Sequence, residues 1–245
     1  ILHKAGILNN YIMQIFMLGG INIILTVSLN LVNGITGQFS IGHAGFMAVG
    51  AYISAIITSS LQNVMNISPF IEQIIFIVAM LAGGTIAAFF GWLIAQPSMK
   101  VRGDYLAIVT LGFGEVIRSI IRISDFVGGP RGMTGIRKIS NFTWIYAVTL
   151  LVVLCVRNFT DSRYGRGCLA VREDEIAAST MGINTKKYKT IAFTLAAFLA
   201  GVAGCLYAHL YLYIHPDSFA YSKSTDLLVY LYAGGVGTIS GSIVG

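Results

Sequence analysis

The sequence predicts an all-α, polytopic integral membrane helix bundle, and three observations support this. Of the 245 residues, 56% are hydrophobic and only 11% are charged, where a soluble domain carries about 25% charged residues. The mean hydropathy of +0.77 represents more apolar surface than a water-soluble fold can hide. The apolar runs are longer than strands and rich in Gly and Ala, which favours spanning helices over a barrel. The net charge of +6 has no basic patch interleaved with aromatics, so it is no nucleic-acid footprint. Cys155, Cys168 and Cys205 are scattered, form no CxxC, and suggest neither a disulfide framework nor a metal site.

Seven apolar segments are expected, most near the ~20 residues that cross a bilayer core. They run from about Ile7 to Val32, Ala44 to Leu61, Phe70 to Ala95, Tyr105 to Ile121, Phe142 to Val156, Thr190 to Ile214, and Leu227 to about Ile239. Gly83, Ala87, Gly91 and Ala95 recur every fourth position in the third segment, and Ala196, Ala200, Gly204 and Ala208 do so in the sixth. Small residues at this spacing let helix backbones approach closely, so both stripes are read as packing surfaces.

Between the first two segments lies Asn33-Gly34-Ile35-Thr36-Gly37-Gln38-Phe39-Ser40-Ile41-Gly42-His43. It is polar and glycine-rich where a membrane helix should be regular. One reading is a broken or re-entrant segment, tolerated where it is buried in protein or lines a cavity, with Asn33, Thr36, Gln38 and Ser40 addressing a substrate. The other is a plain polar turn at the membrane surface. His43 alone reads better as a structural hydrogen-bonding residue than as a ligand or proton relay. On the fourth segment Glu115 and Arg118 stand three apart and share a helix face, a candidate intramembrane ion pair or a structural pair near the membrane face.

The most polar interruption is Arg163 to Lys189, which carries six of the sixteen Lys and Arg. Glu173, Asp174 and Glu175, then Ala177 and Ala178, then Gly182-Ile183-Asn184, read as one short helix with its own start and stop. Too short to span, it must lie at the membrane face, where it is expected to dock a soluble partner. By the positive-inside rule this stretch is cytoplasmic, with Cys168 in it, and so is Gln96 to Asp104 with Lys100 and Arg102. Arg122 to Asn141 is then external, although Arg122, Arg131, Arg137 and Lys138 weaken the bias.

These residues together resemble a known family. Ser28 to Tyr52 (SLNLVNGITGQFSIGHAGFMAVGAY), Gly103 to Arg118 (GDYLAIVTLGFGEVIR) and Gly128 to Ile136 (GGPRGMTGI) are similar to motifs of LivM-type permeases of branched-chain amino acid ABC transporters. Arg163 to His209 looks like that family's coupling region with its following helix, and Leu227 to Gly245 like its glycine-rich C-terminal motif. The resemblance implies a single permease domain over 1–245 with a coupling loop at 157–189, in a bacterial inner membrane. The abrupt start at Ile1 and end at Gly245 suggest that both ends of a longer protein are missing, and the family's continuation beyond its C-terminal motif supports this at Gly245. The implied partners are a second permease subunit, two ATPase subunits, an extracytoplasmic substrate-binding protein and membrane lipid. ATP and Mg would bind in the ATPase subunits, with no cofactor, metal or catalytic residue in this chain.

Glu175 to Gly182 resembles the EAA loop of such importers, with one residue inserted between Glu175 and the Ala pair. Glu173, Asp174, Glu175, Ala177, Ala178 and Gly182 are therefore the expected ATPase-coupling residues; the bland alternative is a solvated helix that merely joins two spans. Branched-chain or other hydrophobic amino acids are the implied cargo, with urea or short amides as the alternative. Gly128 to Gly132 lacks the G-x-x-x-x-G-K-[ST] pattern and reads as an external turn rather than a phosphate loop. An intramembrane enzyme is disfavoured because no HExxH or paired intramembrane Asp is present. An ion-coupled secondary transporter would show more buried carboxylates or a clear internal duplication.

Overall fold

A computed structural model describes residues 10–62, 69–98 and 104–245. Lys100 and Arg102, which were counted towards orientation, lie outside the described residues. Among the described residues ten α-helices follow in order: α1 (Asn10–Asn30), α2 (His43–Gln62), α3 (Pro69–Ser98), α4 (Asp104–Ile123), α5 (Phe142–Asp161), α6 (Arg163–Glu173), α7 (Glu175–Thr180), α8 (Thr185–Tyr211), α9 (Tyr221–Gly234) and α10 (Ile239–Val244). Among the described residues β pairing is limited to one antiparallel bridge, Met133 with Ile214.

Five helical stretches are long and apolar enough to cross a membrane: Tyr11–Ile35, His43–Leu61, Phe70–Ser98, Phe142–Asp161 and Thr185–Tyr211. This is a multi-pass bundle, but the expected seven spans are not found among the described residues. The fourth segment is a 20-residue helix, α4, whose apolar residues share a helix with Glu115, Arg118 and Arg122. The seventh divides at Gly235, which has φ 106, into α9 of 14 residues and the short α10. At 1.5 Å per residue, α9 is only about 21 Å long. The fifth segment's helix runs five residues further than expected, to Asp161, and takes in Arg157 and Asp161 near its end.

The core is the α2–α3–α8 trio. α2 and α8 run parallel: Phe46 meets Phe193 edge-on at 5.6 Å, and Thr58 meets His209 at 3.1 Å. α3 runs antiparallel to α8, with Phe76 against His209 and Gly91 against Ala197. Both predicted stripes face this core: Ala87, Ala95, Ala196, Ala200 and Ala208 are fully buried. Gly50 sits against the Gly201 backbone, and a Cβ on Gly83 would come within 2.9 Å of the Gly50 carbonyl. Backbones touch here because lipid gives no hydrophobic incentive to associate, so close van der Waals contact must supply it. The outward faces of α3, α4 and α5 are apolar and exposed, as at Val78, Phe89, Ile108, Ile120, Leu150 and Leu151.

α1 lies parallel to α5, with the Tyr146 hydroxyl donating to the Phe16 carbonyl and Thr149 to Gly20. α1, α3 and α5 thus end, and α2, α4 and α8 begin, towards the side occupied by α6 and α7. At the opposite end, residues 124–141 and 212–220 are tied together by the Met133–Ile214 bridge and by the Tyr213 hydroxyl donating to Arg131 O at 2.9 Å. The glycines of the Gly128–Gly132 run take positive φ at 128, 129 and 132 and shape this turn, in agreement with the sequence reading.

Candidate functional site

Two regions hold the candidate residues. The first is the break between α1 and α2. α1 loosens into a π-helical turn over Leu31–Ile35, then leaves the helix through Gly37 at φ 69. Thr36 Oγ1 returns a hydrogen bond to Leu31 O at 2.7 Å, and Gln38 N–H donates to Val32 O at 3.0 Å, so carbonyls that end α1 are satisfied. Asn33 spans the loop: its Oδ1 accepts Ser40 N–H at 3.2 Å. Two amides at the loop's far end depend on distant helices. Ile41 N–H donates to Thr110 Oγ1 of α4 at 3.1 Å, and Ala44 N–H to Ser224 Oγ of α9 at 3.0 Å.

His43 opens α2 and meets Ser28 Oγ through Nε2 at 2.7 Å. The Ser28 hydroxyl already donates to Leu25 O at 2.8 Å, so His43 donates from Nε2–H. That makes it the structural hydrogen-bonding residue expected. Ser28 lies about 10 Å along the helix before Ile35, so α2 starts inside the depth of α1 rather than at its end. Asn33, Thr36, Gln38, Ser40 and His43 are all buried, between 0% and 9% exposed. The turn is therefore enclosed by protein rather than exposed. Within the cluster, Ser40 Oγ is buried with no hydrogen-bond partner among the described residues.

The second region is the polar stretch, which folds as three capped helices rather than a loop. Ser162 Oγ accepts Tyr164 N–H and starts α6. Asp174 Oδ1 accepts Ile176 N–H at 2.8 Å and Ala177 N–H at 3.0 Å and starts α7. Asn184 Oδ1 accepts Lys187 N–H at 3.1 Å and starts α8. Gly182, at φ 82, ends α7: Ile183 N–H reaches back to Ala178 O and Gly182 N–H to Ser179 O, the glycine-dependent stop the sequence predicts.

Two expectations need correction. Glu173 closes α6 instead of opening the docking helix, because the Asp174 cap breaks the chain between them; it pairs with its neighbour Arg172 at 2.6 Å. Successive residues of a helix point apart, and here Ala177 is exposed while Ala178 is buried. Cys168 is fully buried, and burial pushes its thiol up to about 11, which makes it a poor orientation reporter. Glu175 pairs within the chain, with Lys189 Nζ of α8 at 2.8 Å. The apolar residues that α7 and its cap leave exposed are Ile176, Ala177 and Met181, the last 83% exposed.

The predicted Glu115–Arg118 pair forms, at 2.7 Å, but it belongs to a larger cluster. Arg118 Nη2 also donates to Asp217 at 2.6 Å and Arg122 does so at 3.2 Å, tying α4 to the turn after α8. Asp217 lies 99 residues from Arg118, and no sequence signal linked them. Arg118's hydrogen bond above all, with the charge of Arg122 adding, holds the Asp217 carboxyl below its ordinary range. An open groove of about 670 Å³ lies elsewhere, between α3 and α8, lined by Trp92, Lys186, Lys187 and Phe198 among others. None of the candidate residues lines it.

The comparisons with known proteins bear on both regions. The family described as "Branched-chain amino acid transport system / permease component" matches residues 11–245. The chain is 33% identical over 253 residues to the high-affinity branched-chain amino acid transport system permease protein LivM of Escherichia coli K12, covering 89% of this chain. It is 26% identical to the corresponding LivH protein of Salmonella typhimurium, over 93% of this chain and 79% of that one. A probable branched-chain amino acid transport permease protein LivM of Methanocaldococcus jannaschii is 24% identical over 80% of the chain. The chain spans 57% of the length of the Escherichia coli LivM protein. No solved structure gives a significant match. With the match running through the helix break, the capped polar stretch and the glycine turn at Gly235, the chain belongs to the permease component family of branched-chain amino acid transport systems.

Proposed function

We propose that this chain is the membrane-spanning permease subunit of an ATP-driven importer that carries branched-chain or similar hydrophobic amino acids across a bacterial inner membrane. The observation that carries the reading is the family match along residues 11–245. The α6–α7 end is cytoplasmic. There, α7 docks an ATPase subunit through Ile176, Ala177 and Met181, while Asp174, Glu175, Ala178 and Gly182 hold its shape. ATP and Mg bind in two ATPase subunits, and this chain contributes no catalytic group. A second permease subunit completes the pathway, and an extracytoplasmic binding protein delivers cargo to the opposite end. The Asn33–His43 break is a buried turn in which α1 ends and α2 begins alongside it. It lines or controls the pathway, and alternating closure of the ATPase pair moves it through α7. A partner shifts such a two-state equilibrium only by binding the two states unequally.

The test is reconstitution of the complete complex in liposomes, with uptake of labelled leucine and of labelled urea followed with and without ATP. Saturable leucine uptake that needs ATP hydrolysis is the expected result. Uptake of urea alone would reassign the cargo. Leucine uptake that ignores ATP and collapses with an ionophore would make the chain a secondary transporter.

A further inference from the structure

The docking turn and the helix break are joined by one side chain, Arg172, the next-to-last residue of α6. Its Nη1 donates to Gly34 O in the π-helical turn at 3.0 Å. Its Nε and Nη2 both donate to Glu173 Oε1, at 3.2 and 2.6 Å. The Arg172 stem fills the space beside Gly37, where an added Cβ would come within 2.7 Å of Arg172 Cγ. A Cβ on Gly237 would come within 3.2 Å of Arg172 Nη1. Gly237 is in turn fastened to α1: its N–H donates to Asn30 Oδ1 at 2.9 Å, and Asn30 Nδ2 donates to Thr238 O at 3.0 Å.

Three segments therefore converge on this guanidinium: the end of α1, the turn before α10, and α6. Gly34 leaves no room for a side chain at the junction, and a Cβ on Gly37 or Gly237 would press on the Arg172 side chain. Only Glu173 and Asp174 separate Arg172 from α7. The chemistry suits the place. A carbonyl at the end of a helix lacks an intrahelical donor and carries partial negative charge, and a planar fork can serve it while gripping a carboxylate in another direction. A second contact runs alongside, since Cys168 of α6 lies against Thr36.

We propose that Arg172 is a positioning residue that transmits displacement of the docking turn to the helix break. Pushing α7 moves Arg172 through Asp174 and Glu173, and Arg172 carries the Gly34 carbonyl and the loop beyond it. The inference rests on the importer reading, and it names the contact through which the two regions of that reading act on each other.

The experiment measures substrate transported per ATP hydrolysed by the reconstituted complex, with subunit co-purification and thermal unfolding as assembly controls. Arg172→Ala is expected to assemble and hydrolyse ATP while that ratio falls about tenfold, within the usual span of coupling energies. Arg172→Lys keeps the charge and one donor for Gly34 but loses the fork, and should fall less. A role confined to sealing the helix end predicts something else: lower thermal stability with transport and ATP hydrolysis declining in proportion. That result, or a wild-type ratio in Arg172→Ala, overturns the proposal. If the alanine variant does not assemble, Arg172→Lys decides: a lowered ratio supports transmission and a wild-type ratio ends it. Failure of the wild-type complex to transport with ATP counts against the importer reading instead.

Discussion

The docking turn and the helix break are both irregular polar interruptions, yet they are stabilised in opposite ways. The docking turn is exposed and held by near neighbours: Ser162, Asp174 and Asn184 each cap the helix that follows directly, and Gly182 ends α7. The break is buried and held by residues far along the chain. Thr110, Arg172, Ser224 and, through Gly34, Gly237 supply what its own sequence does not. A locally specified element keeps its own shape when it is displaced, as the proposed contact with an ATPase subunit requires. An element specified from four directions changes only when those contacts change together, as suits a gate.

Substitutions in the two regions should therefore fail differently, and the largest effect belongs to the break. Gly34→Ala places a Cβ against the Asn30 side chain and within 2.6 Å of the Gly237 backbone nitrogen. Neither can retreat without separating α1 from the turn before α10. Overpacking of this kind costs about 3 kcal/mol, and poor recovery of folded protein from detergent, with a lowered unfolding temperature, is the expected outcome. A Gly34→Ala chain of wild-type stability would show that the junction is looser than its geometry.

Gly182→Val tests the docking turn and should separate folding from coupling. Nothing lies within 4 Å of a Cβ placed on Gly182, so no clash arises; the difficulty is φ 82. A β-branched residue in that region costs roughly 1–2 kcal/mol, which the turn relieves by reshaping the end of α7. The bundle should fold, with near-normal unfolding temperature, while ATPase attachment or stimulated hydrolysis is lost. Wild-type coupling in this variant, and also in Ala177→Leu, would remove α7 as the contact.

The contrast also explains what was legible in the sequence. Helix start and stop signals act over two to five residues, so the short helix and its stop were readable from the acids that precede it and from Gly182, as the small-residue stripes of α3 and α8 were from their spacing. Glu173 was misplaced because three adjacent acids conceal which of them is the cap. The break was visible from its glycines, but the partners of its amides were not, since no local pattern ties Ser40's neighbours to Thr110 or Ser224. Arg172 went unremarked for the same reason: within a basic stretch, one arginine looks like the others. The seven spans are not confirmed: hydropathy reads α4 and α9 as apolar, while the Glu115–Arg118–Asp217 cluster puts charge on α4 and the turn at Gly235 limits α9 to 14 residues.

A smaller effect is expected at Glu175. Its pairing with Lys189 is part-buried, with 31% and 15% of the two side chains exposed. Such a pair contributes about 1 kcal/mol or less. Glu175→Ala should therefore lower stimulated ATP hydrolysis by a few fold at most, without detaching the ATPase. If the pair is the reason, Lys189→Ala should reproduce the loss, and the double variant should be no worse than either single one. Additive losses would mean that Glu175 meets the partner directly.

The smallest effect lies far from both regions and asks whether the opposite end of the bundle is independent of them. Asp217 faces Arg118 and Arg122 of α4, Glu115 stands across Arg118, and His215 lies beside it, accepting Asp217 N–H at Nδ1 and meeting Pro130 O through Nε2. Arg118's hydrogen bond lowers the Asp217 carboxyl in the folded protein from its ordinary 3.8. A carboxyl lowered on folding favours the native state above its unfolded pKa, and that contribution disappears as pH falls through the folded value. Stability should thus be flat in this respect at neutral pH and decline only below about pH 4. Asp217→Asn should remove that acid-sensitive part while lowering stability slightly at pH 7. His215→Gln, measured alongside, separates any titration of the imidazole. Because Asp217 is largely solvated, the change should be slight in unfolding temperature and absent from the transport-to-ATP ratio. A shift in that ratio would mean that α4 and the turn after α8 move with the break, and would extend the coupled unit across the whole bundle.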